Sequence, residues 1–456
     1  MSTQITRGCR TRRLGTARGV LPRVALVVLC AVGIVSAPGE GVVLDPRTIQ
    51  SETLHNGLRV VVCEDAAARV AAVNVIVRAG SADDPPDRPG TAHLLEHVLW
   101  ASGGKDDPRL RIERVGGVMN AGTLRDFTRF HATVPSRDLR LAVEALGDVV
   151  LRADFDEGIV AREQSIVLEE AAARSDDPRA ALNDLAFEAV YGSVHPYGRP
   201  IHGNLDEIAR VDPAKLALFH SMWYVPNNMA VIVAGDAPFE AVRAVVTSVF
   251  GALPPAAVPE RAWPTPTRPP PGGERVVEMP LDKAYVMAAY VGPSISEPDE
   301  VCASDLLATL LAHGPIARLN RALREERELA AAVGVDFLTQ RDRALFGVWA
   351  VCEPEYIPAV EDAIRAEMRS LQTDPLPGPE FATAKCLLSA GYAFANETPT
   401  DRATTVGFYE AIHSYRAASY YLSRVRALTR FDLLRIMPWY AGDPVWVVLR
   451  PEGDLR

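Results

Sequence analysis

The chain has 456 residues, of which 48% are apolar and 23% charged, and its formal net charge is −10. That is the composition of a globular protein, too long for one ordinary core and long enough for two domains of about 200 residues. An acidic chain with no basic stripe and no interleaving of aromatic and basic residues argues against a nucleic-acid partner.

The first 37 residues carry six Arg (Arg7, Arg10, Arg12, Arg13, Arg18 and Arg23) and no acid, ahead of the apolar run Val24 to Val35. The run is shorter than the ~20 residues needed to cross a bilayer, so no stable membrane span is expected. Val35-Ser36-Ala37 offers a small-x-small cleavage site directly before Pro38. The expectation is a signal peptide and leader over 1–40 on an exported protein, periplasmic or secreted and of bacterial type. An uncleaved N-terminal anchor and an organellar transit peptide are the rival readings. Beyond this segment Cys63, Cys302, Cys352 and Cys386 form no CxxC pair and read as small core residues.

Strand patterns follow at 59–62 and 70–77. Helical patterns follow at 90–102, 136–152, 156–174, 178–191 and 212–221, then a buried strand at 229–234. The first helix carries His93-Leu94-Leu95-Glu96-His97. Two imidazoles four residues apart project from one helix face and can reach one metal ion. Glu96 edges that face, beside the fourth position that a catalytic zinc leaves to water. The order His-x-x-Glu-His is the inverted form of a zinc-protease pattern. Taken alone, the same spacing also fits an ordinary solvated helix face.

A third ligand is available downstream. Residues 162–170 contain good helix formers and no Gly or Pro. Glu163 and Glu170 are seven apart, about two turns, and share a face. Ile166 and Val167 lie between them and are expected to pack inward, while Glu169 points away. Packed against the first helix, Glu170 is the natural ligand and Glu163 a carboxylate that orients a histidine. An acidic helix surface is the plainer alternative.

A Pro-rich stretch, 254–274, reads as a semi-rigid extended connector between an N-terminal domain, 41–253, and a C-terminal domain, 275–456. The second half shows strands at 275–279 and 284–290 and helices near 299–312, 315–327, 354–371, 378–395 and 414–427. Trp223-Tyr224 precedes the apolar run Met229 to Val233, and Trp439-Tyr440 precedes Val445 to Leu449 at the same offset. This faint repeat points to duplication, and the second half has no His-x-x-Glu-His.

From about residue 50 onward the chain resembles the pitrilysin/insulinase family of zinc peptidases, most closely its mitochondrial-processing-peptidase-like and bacterial two-domain members. The resemblance rests on motifs in order. They are Leu54 to Val60; Gly80-Ser81 with Gly90-Thr91-Ala92 leading into His93–His97; Gly117 to Thr123 with Asp126 and Thr128; Glu163 to Glu170; His195-Pro196-Tyr197-Gly198; and Trp223 to Met229. It implies an α+β fold of two homologous domains, each a mainly antiparallel sheet packed with helices, arranged as a clamshell with zinc in the first only. It implies one zinc per chain, held by His93, His97 and Glu170, with Glu96 as general base for the zinc-bound water. It also implies that Asn120 and Ala121 contact the substrate backbone, which suits an extended peptide docked at a strand edge.

In the second half, Leu319 to Glu326 resembles the family segment in which an Arg, and a Tyr seven residues later, reach the substrate. Arg324 takes the Arg position, with a surface residue of a charged helix as the alternative; the Tyr position falls on Ala331. A missing oxyanion donor can cost ~3 kcal/mol of transition-state stabilisation. Three readings follow: a zinc endopeptidase for short or unfolded peptides, a zinc-carrying subunit that needs a sister chain, and a structural subunit. The first would act as a single chain or a homodimer, the second as an unlike-chain dimer. The intact His93, Glu96, His97 and Glu170 speak against the third.

Overall fold

The computed structural model describes residues 44–103, 107–203, 205–264, 266, 272–373 and 376–453. The expected signal segment, 1–40, lies outside the described residues. The first half contains β1 (Ile49–Thr53), β2 (Arg59–Glu64), β3 (Val70–Val77), α1 (Thr91–Ala101), α2 (Pro108–Arg114), β4 (Val118–Thr123), β5 (Thr128–Pro135), α3 (Leu139–Leu151), α4 (Glu157–Asp176), α5 (Pro178–Tyr191), α6 (Leu205–Ile208), α7 (Pro213–Trp223), β6 (Met229–Gly235) and α8 (Phe239–Phe250). The second contains β7 (Gly273–Met279), β8 (Ala284–Val291), α9 (Pro298–Ala312), β9 (Ala332–Phe337), β10 (Leu345–Cys352), α10 (Ile357–Thr373), α11 (Gly378–Phe394), α12 (Pro399–Ile412), α13 (Arg416–Ala427), α14 (Arg430–Ile436) and β11 (Val445–Pro451).

Local sequence explains most of these elements. β6 is buried along its whole length and β3 along nearly all of it, as their near-continuous apolar runs require of central strands. The helices α4, α5 and α7 start at Asp156, Asp177 and Asp212, whose side chains accept the first free N–H groups. Pro178 and Pro213 stand at first helical positions, where the missing donor costs nothing.

The first sheet runs β1-β2-β6-β3-β5-β4 and the second β7-β11-β8-β10-β9. Leaving out β1, the two orders superpose term by term, and so do the directions. β6 is parallel to β2 and antiparallel to β3, and β11 is parallel to β7 and antiparallel to β8. The Trp-Tyr repeat therefore marks the same place twice, just ahead of the second strand of each matching order. The fold is an α+β clamshell of two like halves.

The halves are interlocked. α5 of the first half lies on the second sheet, with Leu182, Ala186 and Phe187 in one core with Met287, Ala289 and Val447. α12 of the second half lies on β3 and β6, with Ala403 and Val406 in one core with Ile76 and Ile232. Polar contacts cross the same junction. Arg78 pairs with buried Glu410 at 2.6 Å, and Arg402 with Asp65 at 2.6 Å. The His195-Pro196-Tyr197-Gly198 motif serves here: Tyr197 Oη donates to Asp126 Oδ1 (2.6 Å) and accepts from the Asp342 N–H (3.1 Å).

The Pro-rich connector is tied down where it is described. Arg261 Nε donates to Asp83 Oδ1 at 2.6 Å, and the Arg261 guanidinium lies over the Trp223 ring. The expected helix at 315–327 is shortened. Pro315 follows Gly314, whose φ is +84°, and the regular turns are π-helical over Asn320–Glu325.

Candidate metal centre

The centre is built on the start of α1. Asp84 is buried, and its carboxylate accepts from the Gly90 N–H (2.6 Å) and the Ala92 N–H (2.8 Å). These bonds satisfy donors that the helix itself leaves free. Burial pushes the Asp84 carboxyl up to about 8, against the pull of the two N–H groups. α1 packs against α4, which turns His93 and His97 toward the acidic helix.

On α4 the buried stripe is Val160, Glu163, Val167 and Ala171. The stripe centres on the Val167 side, so Val167 packs inward as expected while Ile166 is left at the margin, 38% exposed. Glu170 edges the stripe, half-exposed, and its carboxylate faces both imidazoles. Glu170 Oε2 lies 3.4 Å from His97 Nε2 and 3.8 Å from His93 Nε2. One donor atom from each of the three side chains lies within 4.8 Å of the others. Two imidazoles and a carboxylate around one point are the donor set that suits zinc, so these residues fit that ion.

The other nitrogen of His97 is also engaged: Nδ1 is 3.5 Å from Glu163 Oε2. Glu163 in turn accepts from Arg162 Nε at 3.0 Å. A carboxylate at this place is positioned to hold the ring orientation of His97 should that residue bind a metal. Burial works against the charged form of His97, yet Glu170, Glu96 and Glu163 together raise its pKa. The bond to His97 lowers that of Glu170. His93 is held well below the ordinary histidine range, by burial first and then by its histidine neighbours.

Glu96 is buried and its Oε2 accepts from Thr123 Oγ1 at 2.7 Å. Burial raises its pKa above the usual carboxylate value, opposed by Thr123 and His97. Thr123 is the last residue of β4, so the strand edge and the carboxylate are physically joined.

Asn120 and Ala121 lie on β4, an outermost strand of the first sheet. Asn120 is exposed and its Oδ1 accepts from the Ala121 N–H at 2.9 Å. β4 pairs with β5 on one side, and no strand among the described residues covers its other side. Arg324 lies in the second half of the chain. It is exposed on the π-helical turn, and its guanidinium donates to Asn320 Oδ1 at 2.9 Å. Ala331 is exposed just ahead of β9, its N–H bonded to the Val351 carbonyl.

One residue of the centre escapes the sequence reading. His202 Nδ1 stands 3.2 Å from His93 Nδ1. The only local signal is a histidine set beside a turn glycine, Ile201-His202-Gly203, five residues after Tyr197.

Comparison with known proteins decides the family. Residues 59–204 match the model of insulinase, peptidase family M16, and residues 210–388 match the peptidase M16 inactive domain. The chain belongs to the M16 peptidase family. It is 32% identical over 391 residues to an uncharacterized zinc protease of Mycobacterium leprae, covering 83% of this chain and 86% of that one. It is 27% identical over 407 residues to the zinc protease PqqE of Helicobacter pylori, covering 86% of this chain and 90% of that one. Among solved structures, a protease from Helicobacter pylori superposes with a TM-score of 0.81 at 26% identity, over 88% of this chain and 99% of that one. A chain of Complex III2 from Candida albicans shares the fold alone, with a TM-score of 0.76 at 16% identity over 89% and 97% of the two chains. The M16 inactive-domain match falls on the half without His-x-x-Glu-His, apart from residues 210–250.

Proposed function

We propose that this M16 member is a zinc-dependent endopeptidase that hydrolyses short or unfolded peptides at the His93–His97 centre. One observation carries the reading: three donor atoms of zinc-ligand type converge while a buried carboxylate, Glu96, lies beside them and is tied to an open strand edge. Curated relatives named as zinc proteases support it.

The residues divide the work as follows. His93, His97 and Glu170 would hold one zinc ion. When bound, zinc supplies a Lewis acid that acidifies water and polarises the scissile carbonyl. Glu96 accepts the proton of the attacking water and delivers it to the leaving amine. Its raised pKa makes the carboxylate a better acceptor for the water's proton. Thr123 fixes the Glu96 carboxylate. The open edge of β4 offers backbone N–H and C=O groups to an extended peptide, with the Asn120 and Ala121 backbone beside the bond to be cut. Glu163 holds His97. Among the described residues no helix is long and apolar enough to cross a membrane. Export through the Arg-rich leader remains part of the proposal.

A second reading is favoured by one feature. Ala331 offers no hydroxyl, so one of the two donors expected from the second half is missing from this chain. On that reading the chain carries zinc, and a sister chain or second copy completes the site.

Glu96→Gln tests the first reading. The amide keeps size and hydrogen bonding but cannot take a proton. The variant should retain zinc and lose at least ~100-fold in kcat on a fluorogenic peptide. Wild-type turnover by Glu96→Gln would remove Glu96 as the base, and loss of zinc would make it a ligand.

A further inference from the structure

His93 is supported from behind by a second imidazole. The two Nδ1 atoms are 3.2 Å apart, the ring centroids 4.4 Å, and the ring planes meet at 85°. A neutral imidazole has one donor nitrogen and one acceptor nitrogen. A hydrogen bond between two facing Nδ1 atoms therefore contains one proton, and the other ring must accept it.

The metal side decides which ring donates. His93 turns Nε2 toward Glu170, the direction in which His97 also points its Nε2. A neutral histidine that ligates through Nε2 carries its proton on Nδ1. That proton faces His202 Nδ1, which accepts it and must keep its own proton on Nε2. His202 is not itself a ligand in this geometry: among the described residues the converging donors are His93, His97 and Glu170.

The support is built into the backbone. Residues 200–203 form a tight turn closed by the Gly203 N–H to the Pro200 carbonyl, 3.0 Å. Gly203 has φ +74°, and a Cβ there would stand 2.1 Å from the Pro89 carbonyl oxygen. Gly90, at the cap of α1, has φ +90°, and a Cβ there would stand 2.6 Å from the His202 carbonyl oxygen. Glycine alone permits this approach on both sides. Arg199 adds a bond from its guanidinium to the Asp84 carbonyl, 3.2 Å, on the residue that caps α1. The turn that carries His202 and the helix start that carries His93 are thus locked together.

We propose that His202 is a positioning residue for the metal centre, accepting the Nδ1 proton of His93 and so fixing the tautomer and ring plane in which His93 offers Nε2 to the ion. The proposal rests on the zinc reading given above. It gives each histidine ligand its own support: a carboxylate, Glu163, behind His97, and a neutral imidazole behind His93. The second adds no negative charge to a site that already holds Glu96, Glu163 and Glu170.

The test is zinc affinity of the full chain, measured by competition with a fluorescent chelator. His202→Leu fills the space but cannot accept a proton, and should weaken zinc binding by about 10- to 100-fold. His202→Asn has an acceptor oxygen and should recover part of that loss. If His202→Leu, folded by its thermal melt, binds zinc within about twofold of wild type, the proposal is overturned. Nitrogen-15 spectra of histidine-labelled, zinc-loaded wild type read the tautomer with no mutation. A His202 proton on Nε2 is expected, and a proton on Nδ1 overturns the assignment. Failure of the wild-type chain itself to bind zinc would instead sink the metal reading on which this rests, so the two failures are told apart.

Discussion

At the scale of single residues, the three carboxylates around His97 are separated by burial and partner rather than by type. Glu96 is buried against Thr123, Glu163 is buried behind His97, and Glu170 is half-exposed and faces both imidazoles. On the proposed function these settings correspond to base, orienter and ligand, in that order. Glu163→Gln keeps the shape but removes the negative charge behind His97. It should weaken zinc binding by about tenfold or somewhat more, less than loss of a ligand would. Chelator competition checks this, and a loss as complete as that of Glu170→Ala would make Glu163 a ligand. The spacing of His93, Glu96 and His97 was legible because a helix face is a local property. The pairing of Glu170 with that face needed two helices to meet, and the family resemblance supplied what spacing alone left open. His202 was not legible, because its role depends on a turn meeting the start of α1 across about a hundred residues of chain.

Among elements, the helices and strands with strong local periods could be read from sequence: α1, α4, α5, β3 and β6 fall within a few residues of their expected places. α12 was missed. It buries Ala403, Val406, Gly407, Tyr409, Glu410, Ala411 and Ile412, and packs on β3 and β6 of the other half. Its buried Glu410 is explained by Arg78, 332 residues away in the chain. β9 and β10 were missed as well, being strands whose pairing is with one another and with β8.

The α9–α13 contact makes a further prediction. Tyr421 Oη donates to Asp305 Oδ2 at 2.7 Å, and burial pushes the Asp305 carboxyl up to about 7 despite that bond. The folded pKa stands above the unfolded value of about 3.9. The stabilising contribution is therefore complete below about pH 3.9 and is lost as pH rises through 7. Asp305→Asn stays neutral throughout. Its Tm relative to wild type should rise by on the order of 2 °C or more between about pH 5.5 and pH 8.5. A difference that does not change with pH would mean that Asp305 ionises normally in the fold.

For the whole molecule, two like sheets have diverged in chemistry. β4 and β9 occupy the same outer position in matching orders, and β4 is joined through Thr123 and Glu96 to the helix that carries the candidate ligands His93 and His97. The exposed Ala331 stands at the start of β9. If the chain is completed by a partner, Ala331→Tyr should raise kcat/KM on a fluorogenic peptide by about tenfold or more wherever the hydroxyl reaches a zinc site. Addition of a sister chain carrying the Arg/Tyr pair should do the same. A pure chain that already turns over at ordinary peptidase rates, with no gain from Ala331→Tyr, would favour the self-sufficient enzyme.

The centre itself is tested most directly by elemental analysis of the purified chain beside His97→Ala. The arrangement of His93, His97 and Glu170 predicts about one zinc per wild-type chain and a large loss in the variant. Full zinc occupancy in His97→Ala would contradict it.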